Sequence, residues 1–189
     1  GVNNIEFDSS LFVFEMEKLT KKGDDLLMVI SMIVLHQMAN EAYFLKGRVK
    51  VIGVDEAKRL LKIILFADFL DDVSRRIRKY DGILVILTQY IKDFFANKSS
   101  EGLFEGASFN IFLEQEEDSI EEAVYSGKLS MNDGQVALMK SVKARTPYYN
   151  EFLLKYGTSY MLLLNKLDDL AYWLYTTKGE HKNQIADVC

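Results

Sequence analysis

Two adjacent carboxylates, Asp55 and Glu56, close an apolar run within VKVIGVDEAKRLL, residues 49–61. An apolar strand that delivers an acid pair at its carboxyl end is the Walker B arrangement of nucleoside triphosphatases. There Asp55 would anchor Mg2+ through its water shell, because this ion keeps several waters and is usually held by one or two carboxylates plus substrate phosphates. Glu56 would orient or deprotonate the attacking water. A site of this kind lies outside the carboxyl end of a parallel strand, where ligands bind in open α/β sheets. The same pair has a plainer role open to it, since acids at the start of a helix match its dipole and cap its free amides.

Two further groups could act with them. Gln89 ends a second apolar run, GILVILTQ at residues 82–89, where it is either a polar sensor or simply the polar end of a strand. Between the two runs lies the arginine-rich helix end SRRIRKYDG. On a helix Arg75 neighbours Arg78 and Lys79 at i+3 and i+4, so these cations form one basic edge. They could reach a phosphate or merely complement the helix carboxyl terminus. His36 and His181 have no second ligand at a spacing that suggests zinc, and His36 reads as a structural residue of an apolar helix. Tyr43, Phe44, Phe66, Phe69, Phe94 and Phe95 recur at helical spacing and read as core or subunit contacts.

The elements that must position these groups alternate along the chain. Residues 11–15, LFVFE, predict a short buried strand. Residues 24–45 predict a helix stopped by Gly47, apolar on nearly every face in its first half and therefore expected to be covered on both sides. The strand from residue 49 follows, then a helix through Leu61 and another over residues 66–80, then the strand from Gly82. Apolar runs buried on both faces that alternate with helices are the signature of a parallel sheet. Residues 90–107 predict helix and loop, and residues 108–115, SFNIFLEQ, another strand. Two helices come next, in EEDSIEEAVYSG and MNDGQVALMKSV. Residues 150–155 and 159–165 flank a Tyr-Gly-Thr turn and predict a hairpin, followed by a short helix over residues 167–176. The final KGEHKNQIADVC lacks periodicity and is expected to be a flexible tail.

Composition limits the functions available. With 189 residues, of which 49% are hydrophobic, the chain can bury a sizeable core and is expected to form one folded body. A net charge of -5 argues against a generally basic surface and hence against direct nucleic-acid binding. The single cysteine, Cys189, allows no internal disulfide and suits a reducing compartment, the cytoplasm by default. The most apolar stretch, residues 26–35, falls short of the roughly 20 residues that a membrane-spanning helix needs.

Taken together, FVFEMEKL, IGVDEAKRLL, RRIRKYDGILVILTQ with YIKDFFAN, and LFEGASFNIFLEQ resemble the carboxyl-terminal ATPase region of the TraC-like motors of type IV secretion and conjugation systems, relatives of the HerA and FtsK DNA pumps. The resemblance spans nearly the whole chain, and RKYDGILVILTQ is its most specific block. It implies an α/β fold: part of a RecA-like, mostly parallel sheet flanked by helices over residues 1–176, with a carboxyl-terminal β-hairpin and a flexible tail at 177–189. It implies ATP and Mg2+, with Asp55 as the magnesium acid, Glu56 as the catalytic acid and Gln89 as the sensor. Arg75, Arg76 and Arg78 match the basic helix end from which an arginine can reach a neighbouring subunit's nucleotide. Gln115 matches a strand end that contacts nucleotide, although Glu114 stands where arginine is common. The implied partners are other subunits of a homo-oligomeric ring and type IV secretion channel components at the inner membrane, with the protein cytoplasmic and peripheral to that membrane. A HerA- or FtsK-like DNA pump and a non-catalytic interaction domain are the competing functions.

One departure is large. A phosphate-binding loop needs G-x-x-x-x-G-K-[ST], and the nearest imitation, SGKL at residues 126–129, has Glu122 for the first glycine and Leu129 for the hydroxyl residue. In the family that loop precedes LFVFE, so the chain is expected to be a fragment of a larger ATPase, inactive by itself. The strand that carries the loop would lie between residues 82–88 and 108–114. Its absence leaves a slot to be closed by direct pairing of those strands or by another segment.

Overall fold

The computed structural model of the chain describes residues 11–15, 24–146 and 148–175. They fall into two compact units, Gly1–Gly106 and Ala107–Cys189. The expected tail at residues 177–189 lies outside the described residues.

In the first unit, helix α1 (Asp24–Phe44) leads into strand β1 (Lys50–Val54), helix α2 (Lys58–Leu61) and helix α3 (Ile64–Ile77). A 3-10 turn at Arg78–Tyr80 reverses the chain into strand β2 (Gly82–Ile86). A 3-10 segment, Ile91–Phe95, and helix α4 (Lys98–Gly106) complete the unit. Strands β1 and β2 are parallel, in register from Lys50 opposite Gly82 to Val54 opposite Ile86. The crossover between them is α3, whose Phe66, Ala67, Leu70, Val73 and Ile77 are all buried. Those positions repeat at helical spacing and make one apolar stripe facing the core. Ile52 and Val54 of β1 meet the same core, as do Leu35, Ala39 and Ala42 of α1.

Three expectations are corrected here. Helix α1 buries one stripe, while Val29 and Ile33 remain 49% and 59% exposed. Likewise β1 and β2 bury one face, and Val51, Ile83 and Val85 on the other are exposed among the described residues. A run of apolar residues fixes that an element can be covered, but a second layer must exist before it is. Residues 11–15 make no strand, and Leu11 and Val13 are exposed. A short apolar run becomes a strand only when a neighbour accepts its ladder hydrogen bonds, and no described strand pairs with it.

The second unit is built on an antiparallel sheet. Strand β3 (Phe109–Phe112) is followed by helices α5 (Glu117–Tyr125) and α6 (Asp133–Lys140), then by strands β4 (Ala144–Arg145), β5 (Tyr149–Tyr156) and β6 (Ser159–Asn165) and helix α7 (Asp169–Tyr175). Strand β5 is central, pairing with β6 along one edge and with β3 and β4 along the other. The β5–β6 hairpin forms at the expected residues. Tyr156 pairs with Ser159 across a two-residue turn, and Gly157 takes the positive φ of 57° that such turns require. Asn132 and Gln135 form a reciprocal capping box at the start of α6.

The α/β class therefore holds, with a parallel pair of strands and a carboxyl-terminal hairpin. The strand at 108–115, however, pairs antiparallel with β5, and among the described residues it makes no pairing with residues 82–88. Among the described residues β2 pairs only with β1, and β3 only with β5.

Gly82 is where the crossover meets the sheet. A Cβ built there would lie 2.2 Å from Cγ1 of Ile77 and 3.1 Å from its carbonyl oxygen. Ile77 is itself buried in the core and has little room to yield. Gly82→Ala is expected to destabilise the protein by about 1–3 kcal/mol, the usual cost of overpacking, measured by urea denaturation. Wild-type stability in that variant would show that Ile77 repacks freely.

Candidate functional site

The acid pair sits where the parallel ladder runs out. The Leu87 amide donates to the Val54 carbonyl at 2.9 Å, and the Ala57 amide donates to the Leu87 carbonyl at 3.0 Å. One residue of the second strand thus grips the first on both sides of Asp55 and Glu56. Leu87 is held there, and Thr88 and Gln89 follow it directly in the chain. Gln89 is exposed, as are both acids.

Glu56 has φ of 49°, in the left-handed region that side chains other than glycine rarely adopt. Its amide donates to Oδ1 of Asp55 at 2.8 Å. A non-glycine residue held this way costs on the order of 1–3 kcal/mol and is typical of sites where side-chain placement matters. Helix α2 begins after Ala57 with no side-chain cap and no acid in its first turn. Neither acid therefore caps α2.

The donor set suits magnesium. Asp55 Oδ2 and both Glu56 carboxylate oxygens have no partner among the described residues, and hard carboxylate oxygens that face water are what a hydrated Mg2+ needs.

The segment after Gln89 is firmly held. The Thr88 hydroxyl donates to Oδ2 of Asp93 at 2.5 Å, and Asp93 is buried, with its amide donating to the Tyr90 carbonyl at 3.1 Å. Asn97 then ties this segment back to α2, its Nδ2 donating to the Leu61 carbonyl at 2.7 Å. Its Oδ1 accepts from the amides of Ser99 and Ser100 at the start of α4. The sequence reading missed Thr88 and Asp93. Their signal was a hydroxyl and a carboxylate five residues apart across the end of an apolar strand. Lys58 and Lys92 were missed too, their ammonium groups lying 5.3 and 5.5 Å from the centroid of the Tyr90 ring.

The arginines are not brought to this site within their own unit. The Lys50 amide donates to the Asp81 carbonyl at 3.1 Å, so the turn that follows α3 lies beside the beginning of β1. The acids lie at its end, about 16 Å away for a strand of this length. Arg75 pairs with Asp71 at 2.9 Å, and Arg76 pairs with Asp72, each at i and i+4 on α3. Arg78 has no ion pair among the described residues.

Gln115 belongs to the second unit, where its Nε2 donates to the Glu114 carbonyl at 3.1 Å. The departure at Glu114 has a structural explanation. Its carboxylate accepts from the Ala144 amide at 3.0 Å and from Nζ of Lys143 at 3.2 Å, fastening the end of β3 to β4. The Ala144 amide first, and the Lys143 ammonium second, hold this carboxyl below its ordinary value.

The comparisons with known proteins bear on the family and the fold. The sequence profile of the TraG P-loop domain matches residues 2–189, and the chain belongs to that family. It does so with no G-x-x-x-x-G-K-[ST] anywhere in its sequence. Among solved structures it is similar to VirB4 of Thermoanaerobacter pseudethanolicus, with a TM-score of 0.70 and 24% identity over 88% of this chain. The match covers 44% of the VirB4 chain, so the present sequence corresponds to less than half of that protein's length. No curated protein matches it. The fold is thus that of the TraG P-loop domain family, shared with VirB4.

Two outcomes follow from the contacts. Thr88→Val removes the donor from the buried Asp93 carboxylate and is expected to cost about 1–3 kcal/mol, read as a lowered urea midpoint; an unchanged midpoint would mean that Asp93 finds another donor. Glu114, whose folded value lies below its unfolded one, stabilises the second unit fully above the ordinary carboxylate range. That contribution is lost as pH falls through the lowered folded value. An acid titration followed by circular dichroism should therefore show Glu114→Gln less stable than wild type at neutral pH and the two converging in acid. A constant gap at all pH values would contradict this.

Proposed function

We propose that the chain forms part of the motor domain of a TraC-like ATPase that couples ATP hydrolysis to assembly of a secretion channel or conjugative pilus and to substrate transfer. The observation that carries this is the double grip of Leu87 on either side of Asp55 and Glu56, two residues before Gln89. Membership of the TraG P-loop domain family supports nucleotide binding in general.

In this mechanism Asp55 would hold a hydrated Mg2+, which would supply charge neutralisation at the phosphates. Glu56, held in its left-handed backbone by the Asp55 contact, accepts a proton from the attacking water. Gln89 orients that water or the terminal phosphate from the adjoining strand. Arg75, Arg76 and Arg78, at the far end of β1 from their own acids, serve a neighbouring subunit's nucleotide in a homo-oligomeric ring. Gln115 contributes a nucleotide contact. The ring works in the cytoplasm against channel components at the inner membrane.

The decisive experiment is steady-state phosphate release by the complete protein against subunit concentration. Glu56→Gln keeps the shape and the hydrogen bonds but cannot take a proton, so turnover is expected to fall at least 100-fold, on the order seen for loss of a general base, with nucleotide binding retained. Asp55→Asn should weaken magnesium-dependent binding as well. Arg78→Ala should impair turnover only in the assembled state, and mixing it with Glu56→Gln should restore part of the activity. Residues 1–189 alone, which carry no phosphate loop, are the inactive control. Near wild-type turnover in Glu56→Gln would end the motor assignment.

A further inference from the structure

We propose that Lys58, Tyr90 and Lys92 form a seat for the phosphate chain of the nucleotide, in which Tyr90 is a positioning residue that holds both ammonium groups. Lys58 lies two residues after Glu56, and Tyr90 directly follows Gln89, so the Leu87 grip brings the three together beside the acid pair. The two Nζ atoms stand 5.3 and 5.5 Å from one ring centroid, close enough for the electrostatic attraction of a cation to an aromatic face. Neither lysine has a carboxylate partner among the described residues. The nearest acid in sequence to Lys92, Asp93, is buried and already committed to the Thr88 hydroxyl.

Two ammonium groups held near one ring concentrate positive charge there, which favours an anion beside them. Tyr90 is 39% exposed, which leaves the cluster open to a ligand. The pair of ammonium groups matches the roughly two negative charges that a magnesium-bound triphosphate retains. The proposal rests on the nucleotide site assigned above and adds a contact that does not run through the metal.

The test is a titration of the complete protein with a fluorescent ATP analogue, once with Mg2+ and once in EDTA. Lys58→Ala and Lys92→Ala are each expected to raise Kd about tenfold in both conditions, as for a charge-assisted phosphate contact, and to flatten its salt dependence. Tyr90→Phe keeps the ring and should bind as wild type does, while Tyr90→Leu should lose affinity as the lysine variants do. Should Tyr90→Leu fail to fold, the exposed Lys92 decides the matter. Asp55→Asn should weaken binding only when Mg2+ is present; if it does not, the acid assignment fails while the EDTA titration still judges the lysines. Unchanged Kd in both lysine variants overturns the proposal. So does damage from Tyr90→Phe equal to that from Tyr90→Leu. Loss confined to affinity for single-stranded oligodeoxythymidylate would assign the cluster to nucleic acid and overturn it as well.

Discussion

Everything at the candidate site depends on the backbone of Leu87, which accepts from one side of the Asp55–Glu56 turn and donates to the other. A parallel ladder normally binds successive residues of its neighbour at even spacing. Here it continues one step past the regular strands and encloses the acid pair in a closed loop of hydrogen bonds. That enclosure holds Glu56 in a backbone conformation it would not adopt alone. It also places the chain after Leu87 within reach of the same carboxylates.

Rigidity at this corner is reinforced from below. The buried Asp93 takes the Thr88 hydroxyl, and Asn97 carries a hydrogen bond to the end of α2 while capping α4. The helix after the acids and the segment after β2 are therefore one mechanical piece. Side chains placed on such a piece lose little further freedom when a ligand arrives, which is how a site stays arranged for chemistry.

Charge is distributed in a way that separates its uses. On α3 each of Arg75 and Arg76 is matched by an aspartate one turn earlier, in the favourable acid-before-base order. Such exposed pairs contribute little to stability but keep the guanidinium groups extended along the helix surface. In the second unit the ion pairs do structural work instead. Lys140 joins α6 to Glu117 and Glu121 of α5, and Lys143 joins Glu114 at the end of β3. Glu114 thereby serves the sheet, at a position where arginine is common in the family it resembles.

Much of the first unit was legible in the sequence, because helical stripes such as Phe66, Leu70, Val73 and Ile77 report burial directly and strand ends carry their own polar markers at Asp55, Glu56 and Gln89. The hairpin was legible for the same kind of local reason, a glycine that can take positive φ between two β-prone runs. What the residues could not say was which surfaces would find partners. Residues 11–15 have the composition of a strand and no ladder to join, and α1 and the β1–β2 pair have apolar faces without a second layer among the described residues. Composition also could not decide whether the acid pair caps the helix that follows it. Capping is a local contact, but the conformation of Glu56 and its company with Thr88 and Gln89 are set by a hydrogen-bonded neighbour some thirty residues away, and only the folded chain supplies that neighbour.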